Sequence, residues 1–182
     1  MKRRKALTWM AAAVWPGTAS LAADPAALLR AGACVIMVRH AQTEAGIGDP
    51  PNFRLDDCAS QRLLSPAGRQ QAVRMGEWFR REGLQPGSVW SSAWCRCRDT
   101  AELAFGRHRV LDALNSTFQN NNNQSAQTLL LRARLRSIQA GQFEVWVTHQ
   151  VNISALTGES TSMGEGLIVH TSGALLARIP FA

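Results

Sequence analysis

Ala33-Cys34-Val35-Ile36-Met37-Val38-Arg39-His40 sets six apolar residues in a row and ends them on an arginine and a histidine. A run of this length, entered from Gly32 and closed by polar residues, reads as a strand buried on both faces. Periodicity alone does not separate it from a short buried helix. As a strand, it places Arg39 and His40 just beyond its carboxyl end, where open α/β sheets gather their ligands. The plain alternative is the solvated end of a core strand.

Upstream of this run, Lys2-Arg3-Arg4-Lys5 precedes an apolar stretch from Ala6 to Val14, and Pro16-Gly17 breaks it before Ser20-Leu21-Ala22. This is the pattern of a cleavable secretory signal over 1–22, too short in its apolar part to span a bilayer comfortably, with an uncleaved anchor as the weaker alternative. The expectation is a single exported, periplasmic or secreted domain over 23–182, with no transmembrane span once mature. Four cations and no acid leave with the signal, so the formal charge falls from +7 to +3. Every remaining fixed cation is arginine, the side chain suited to bidentate recognition of phosphate or carboxylate. No basic cluster interleaved with aromatics supports nucleic-acid binding. In an oxidising compartment Cys58 can pair with Cys95 or Cys97, while Cys34 reads as a buried thiol. Cys95-Arg96-Cys97 lacks metal-ligand spacing and no second pair completes it, so no zinc site is expected; no metal and no cofactor enter the expected chemistry.

Downstream the pattern alternates. A short helix led by Asp24-Pro25 enters the first strand, and a long Gly- and Pro-containing loop follows it over 41–64. Ser65-Pro66-Ala67-Gly68 opens a helix that Gly83 stops. A second strand ends at Ser91-Ser92, and a helix from about Trp94 to Phe105 carries Arg96 in its first turn. Val110-Leu111 is a brief third strand. After the asparagine-rich stretch 115–125, Ser125 is placed as the cap of a helix over 126–140. The strand 143–147 ends at Thr148-His149, a short helix covers 151–156, and 166–170 with 174–179 reads as a hairpin. Strands alternating with helices predict an α/β fold, a three-layer α/β/α sandwich with a mostly parallel central sheet.

In a parallel sheet the polar strand ends share one edge. Arg39, His40, Ser91, Ser92, Arg96 and His149 then form a pocket rich in guanidinium, imidazole and hydroxyl groups, suited to a phosphate dianion. One neutral imidazole can attack phosphorus while the other hydrogen-bonds the equatorial oxygens. Fixed arginines can supply the charge stabilisation without a metal.

Four segments in order resemble the histidine phosphatase superfamily, the phosphoglycerate mutase-like clan. They are Arg39-His40-Ala41-Gln42-Thr43-Glu44, with alanine where the family has glycine; Leu64-Ser65-Pro66-Ala67-Gly68; Ser91-Ser92-Ala93-Trp94-Cys95-Arg96 through Thr100-Ala101; and Val147-Thr148-His149. The resemblance implies that His40 becomes phosphohistidine, with Arg39, Arg96 and His149 completing the phosphate pocket. Thr43, Ser91 and Gln150 are further phosphate- or substrate-binding candidates. The family's proton donor has no match, since Ser116 and Gln150 occupy the positions where its branches carry an acid. Asp112 is the first candidate for that acid, ahead of Glu44, Asp56 and Asp57.

The expected activity is hydrolysis of a small phosphorylated substrate or an envelope phosphoester, with mutase activity disfavoured. The alternative is a catalytically inactive anion-binding module of the same fold. Oligomeric state is not readable from the sequence.

Overall fold

The computed structural model describes residues 24–46, 48–118 and 121–181, so the expected signal 1–22 lies outside the described residues. The opening apolar run is strand β1 (Cys34–Arg39). Its alternate residues feed two separate cores: Cys34, Ile36 and Val38 point to one, Val35 and Met37 to the other. That two-sided burial is why the run shows no polar alternation.

β1 belongs to one six-stranded sheet with β2 (Ser88–Ser91), β3 (Arg109–Val110), β4 (Phe143–Thr148), β5 (Glu165–His170) and β6 (Leu175–Pro180), in the order β3-β2-β4-β1-β5-β6. The four strands from β3 to β1 are mutually parallel. The last two form the expected hairpin, β5 lying antiparallel to β1. Helices α1 (Pro25–Ala31), α2 (Pro66–Arg81) and α3 (Cys95–Phe105) cover one face, supplying Leu29, Met75, Phe79 and Ala101 to its core. Helices α4 (Gln124–Arg136) and α5 (Gln150–Thr157) cover the other through Leu131, Leu135, Ile153 and Leu156. The mostly parallel three-layer α/β/α sandwich is therefore present. Among the described residues no helix is long and apolar enough to cross a membrane.

Local chemistry explains the boundaries. Asp24 accepts from the Ala26 and Ala27 amides with Pro25 in the first turn, and Ser65 Oγ accepts from the Gly68 amide at 3.1 Å. α2 and α3 pack closely because Gly76 has no side chain; a Cβ there would lie 2.1 Å from the Ala104 carbonyl oxygen. Some boundaries differ from the sequence reading: the third strand is Arg109–Val110 and not Val110-Leu111, and α4 shifts at both ends. α4 begins at Gln124 and ends at Arg136, so Ser125 lies inside it and does not cap it. The apolar stripe continues to buried Ile138, but Ser137 Oγ donates to the Arg134 carbonyl at 2.7 Å as the helix ends.

The long loop after β1 is tied down by a Cys58–Cys95 disulfide, with 5.7 Å between the Cα atoms. Of the two partners open to Cys58, Cys97 is excluded by its burial as a free thiol beneath His149.

Candidate active site

Three neighbouring strands bring their last residues to one edge of the sheet. Arg39 is in register with Thr148, and Ser91 with Val147. Arg39-His40, Ser91-Ser92 and Thr148-His149 thus stand side by side. Of these, Arg39, His40 and His149 border a cavity of about 310 Å³ whose walls also include Asp49, Arg62 and Arg96.

His40 is held by its backbone before its ring is considered. Its amide donates to the Thr148 carbonyl at 3.0 Å, extending the ladder one residue beyond β1. Two helices clamp the residues that follow. The Ala41 amide donates to Thr100 Oγ1 of α3, and the Gln42 amide to Gln71 Oε1 of α2, both at 3.0 Å. The Gln42 carbonyl accepts from the Ser65 amide at 3.0 Å. A Cβ on Gly68 would lie 1.8 Å from that carbonyl, so only glycine lets α2 begin there.

On this base, His40 Nδ1 sits 2.9 Å from the Ala41 carbonyl oxygen. A carbonyl only accepts, so Nδ1 carries the proton and Nε2 keeps the lone pair. Burial first, then the Arg96, Arg39 and Arg62 charges, lower the His40 pKa to about 3 against the raising effect of the Ala41 hydrogen bond. The ring is therefore a neutral imidazole at pH 7 with Nε2 as its nucleophilic atom.

His149 is assigned the opposite tautomer by a chain of hydrogen bonds. Asn115 Oδ1 accepts from the Ala93 amide at 2.7 Å, while Asn115 Nδ2 donates to Asp112 Oδ1 at 3.3 Å. With that amide oriented, the Ser92 hydroxyl donates to Asn115 Oδ1 at 3.0 Å. His149 Nε2–H then donates to Ser92 Oγ at 2.9 Å, which leaves Nδ1 with the lone pair. Burial, followed by His40 and the three arginines, holds His149 well below the usual histidine pKa.

The cations are placed through separate anchors. Arg39 Nη1 donates to the Thr161 carbonyl at 2.7 Å, and Gln150 Oε1 fixes Thr161 by accepting from its amide and hydroxyl, both at 2.8 Å. Arg96 Nη1 donates to Asp49 Oδ1 at 2.8 Å, and the Arg62 amide donates to that same oxygen at 2.9 Å. Arg62 Nη1 reaches the Gly46 carbonyl at 3.0 Å. Arg39, Arg62 and Arg96 each retain a buried Nε–H with no hydrogen-bond partner among the described residues. Leaving such a donor unpaired costs roughly 1–3 kcal/mol, and more when it is charged. Three guanidiniums in the walls of one cavity make a surface suited to an anion. Burial, with the neighbouring arginine charges behind it, lowers the pKa of Arg39 and of Arg62. Among the described residues Asp49 is the only carboxylate in the cavity wall, and both imidazoles are neutral, so two positive charges stand in excess.

Of the residues singled out in the sequence, Arg39, His40, Arg96, His149 and Gln150 line the cavity. Thr43 and Ser91 do not. Thr43 Oγ1 donates to Met163 Sδ at 3.7 Å, and Ser91 Oγ to the Ser92 carbonyl at 2.8 Å. Asp112 is also outside the lining; it terminates the Asn115–Ser92–His149 chain. Glu44, Asp56 and Asp57 are likewise absent from it. Trp94 borders the cavity, whereas Trp90 lies between the Arg109 and Arg134 guanidiniums, 4.1 and 4.0 Å from its ring centroid. The sequence reading missed Asp49 and Arg62. Arg62 had a usable signal, because it stands three residues before Ser65, whose amide meets the backbone beside His40. Among the described residues no group of His, Cys, Asp and Glu could hold a metal ion.

The family model of the histidine phosphatase superfamily (branch 1) matches residues 35–163, well over half of the chain. The chain belongs to this superfamily. The matched span contains each of the six cavity residues named above. No curated protein sequence matches significantly. Among solved structures, the protein histidine phosphatase SixA complexed with tungstate is 15% identical, with a TM-score of 0.57 over 81% of this chain and 97% of its own. Phosphoglycerate mutase from Thermus thermophilus is 20% identical, with a TM-score of 0.56 over 80% of this chain and 98% of its own. Mycobacterial glucosyl-3-phosphoglycerate phosphatase is 19% identical, with a TM-score of 0.56 over 75% and 89%. At these identities the likeness is one of fold, and the chemistry has to be argued from the cavity.

Proposed function

We propose that this member of the superfamily is a phosphatase that hydrolyses a phosphomonoester or phosphoramidate through a phosphohistidine on His40, without a metal ion. The observation that carries the reading is the neutral His40 ring, pinned through Nδ1 to Ala41, beside three guanidiniums with unpaired buried Nε–H groups. Nε2 attacks phosphorus, and the bond to the leaving oxygen or nitrogen breaks as the phosphoryl group passes to His40. Arg39, Arg62 and Arg96 hold the equatorial oxygens and offset the charge they carry in the transition state. Water then attacks the phosphoryl group, the P–N bond breaks, and the electron pair returns to Nε2.

His149 serves as the second imidazole. With Nε2 committed to Ser92, its Nδ1 is the atom left to share a proton with a phosphate oxygen. Gln150 acts through Thr161 to aim Arg39. A structural neighbour, the protein histidine phosphatase SixA, is complexed with the oxyanion tungstate.

The N-terminal signal pattern supports action on a periplasmic or envelope phosphoester, and favours hydrolysis over mutase transfer. N-terminal sequencing of exported material is expected to begin at Ala23; retention of the intact N-terminus inside the cell would count against this placement.

The direct assay screens the purified protein against sugar phosphates, phosphoamino acids and phosphohistidine, beside His40→Ala. Turnover by the wild type alone is expected, and EDTA should leave it intact. Equal, negligible turnover by both proteins with phosphate binding retained would favour the inactive module.

A further inference from the structure

The geometry points to Asp49, a loop residue outside every motif read from the sequence, as the acid and base that serves the leaving group and the attacking water. The inference rests on the phosphatase reading above and supplies the proton carrier which that reading lacks.

Among the described residues Asp49 is the only carboxylate in the cavity wall, and its side chain is 6% exposed. Both of its hydrogen bonds, from Arg96 Nη1 and the Arg62 amide, converge on Oδ1, and Oδ2 has no hydrogen-bond partner among the described residues. Arg96 meanwhile keeps its buried Nε–H unpaired. A guanidinium presents its donors on separate edges, and Nη1 lies on the side away from Nε–H, so an anion can take the Nε edge while the carboxylate stays on Nη1. One arginine can thereby hold phosphoryl oxygens and the carboxyl group at the same time. Asp112, by contrast, spends its carboxylate on Asn115 outside the cavity.

Without substrate, Asp49 faces Arg96 of α3 and Arg62 of its own loop, with Arg39 and the neutral His40 and His149 in the same walls. A bound phosphate draws on the same cations as Asp49. The proton arrives with the substrate, because a phosphomonoester has a second pKa near 6 and is in part a monoanion at neutral pH.

The cycle then balances. His40 Nε2 forms the P–N bond, the P–O bond breaks toward the leaving oxygen, and that oxygen takes the proton from Asp49. In the second step the Asp49 carboxylate accepts a proton from water as its oxygen attacks phosphorus. The P–N bond breaks, the electron pair returns to His40, and the proton is again on Asp49.

The test compares an alkyl phosphate, whose leaving group needs a proton, with an aryl phosphate bearing a good leaving group. Asp49→Asn is expected to lower kcat/KM for the alkyl ester by about 10²-fold or more while changing the aryl ester by less than about 10-fold. Asp112→Asn should leave the ratio of the two rates as in the wild type. Equal losses on both esters would reduce Asp49 to a positioning partner of Arg96, and equal gains would make it a competitor of phosphate; either overturns the inference. Should Asp49→Asn fail to fold, a series of leaving groups on the wild type decides. A shallow dependence of rate on leaving-group pKa, unmoved in Asp112→Asn, is expected, and a steep one overturns the inference. A wild type that hydrolyses neither ester, equal to His40→Ala, removes the phosphatase reading itself and the role of Asp49 with it.

Discussion

Nδ1 of His40 lies 2.9 Å from the carbonyl oxygen of Ala41, the next residue in the chain. One local contact therefore decides which nitrogen is nucleophilic, and burial decides that the ring is uncharged. The 15N ring shifts of His40 are expected to report a neutral, Nδ1-protonated imidazole from pH 8 down to pH 5. The same burial costs stability in acid. An unfolded histidine takes its proton near 6.5, whereas folded His40 does so only at about 3. Between those values the unfolded chain binds more protons, so stability falls as pH drops from about 6.5 toward 3. The slope of the urea midpoint against pH should flatten in His40→Gln. A His40 that titrates near 6.5 in the folded protein would contradict this.

Arg62 is placed as the third phosphate-binding guanidinium, although it lies in the long loop and not at a strand end. Removing one charged hydrogen-bond donor to an anion costs about 1.5–3 kcal/mol. Inhibition by inorganic phosphate should accordingly weaken by roughly 10- to 100-fold in Arg62→Ala. An unchanged inhibition constant would take Arg62 out of the site.

Gly68→Ala sets two effects against each other. Alanine favours the helix by about 1 kcal/mol over glycine, but its Cβ would lie 1.8 Å from the Gln42 carbonyl oxygen, which is backbone. Overpacking of this kind costs about 1–3 kcal/mol, and the collision should win. A lower melting temperature is expected, together with reduced turnover because the segment that carries His40 must move. A variant as stable and active as the wild type would show that the contact yields freely.

The elements that position the site were legible because each follows from local chemistry. A doubly buried strand reads as an unbroken apolar run, and Ser65-Pro66 carries its own cap. Arg39, His40, Arg96 and His149 were visible because they sit at the ends of such elements, where topology alone gathers them. Asp49 and Arg62 lie in a loop without periodicity, and tertiary placement brings them into the wall. Asp112 was the expected acid from its position after the third strand, but Asn115, three residues on, engages its carboxylate away from the cavity. The end of α4 was misread because burial of Ile138 outlasts the helix.

The Cys58–Cys95 disulfide closes a loop spanning a sequence separation of 37, and loop-closure entropy assigns such a bridge about 4 kcal/mol. Cys58→Ser is expected to lower the free energy of unfolding by about 2–4 kcal/mol. Non-reducing peptide mapping should recover Cys58 joined to Cys95, with Cys34 and Cys97 alkylated only after denaturation. A bridge to Cys97, or three free thiols in exported protein, would contradict the arrangement.

The central claim is that His40 carries the phosphoryl group. Acid-labile phosphate bound to the protein can be trapped by rapid quenching during turnover and located by peptide mass spectrometry. The account expects one phosphoryl group on the peptide containing His40, absent in His40→Ala and discharged when the labelled protein is returned to neutral buffer. Steady turnover with no phosphohistidine, or a phosphoryl group on His149, would contradict it.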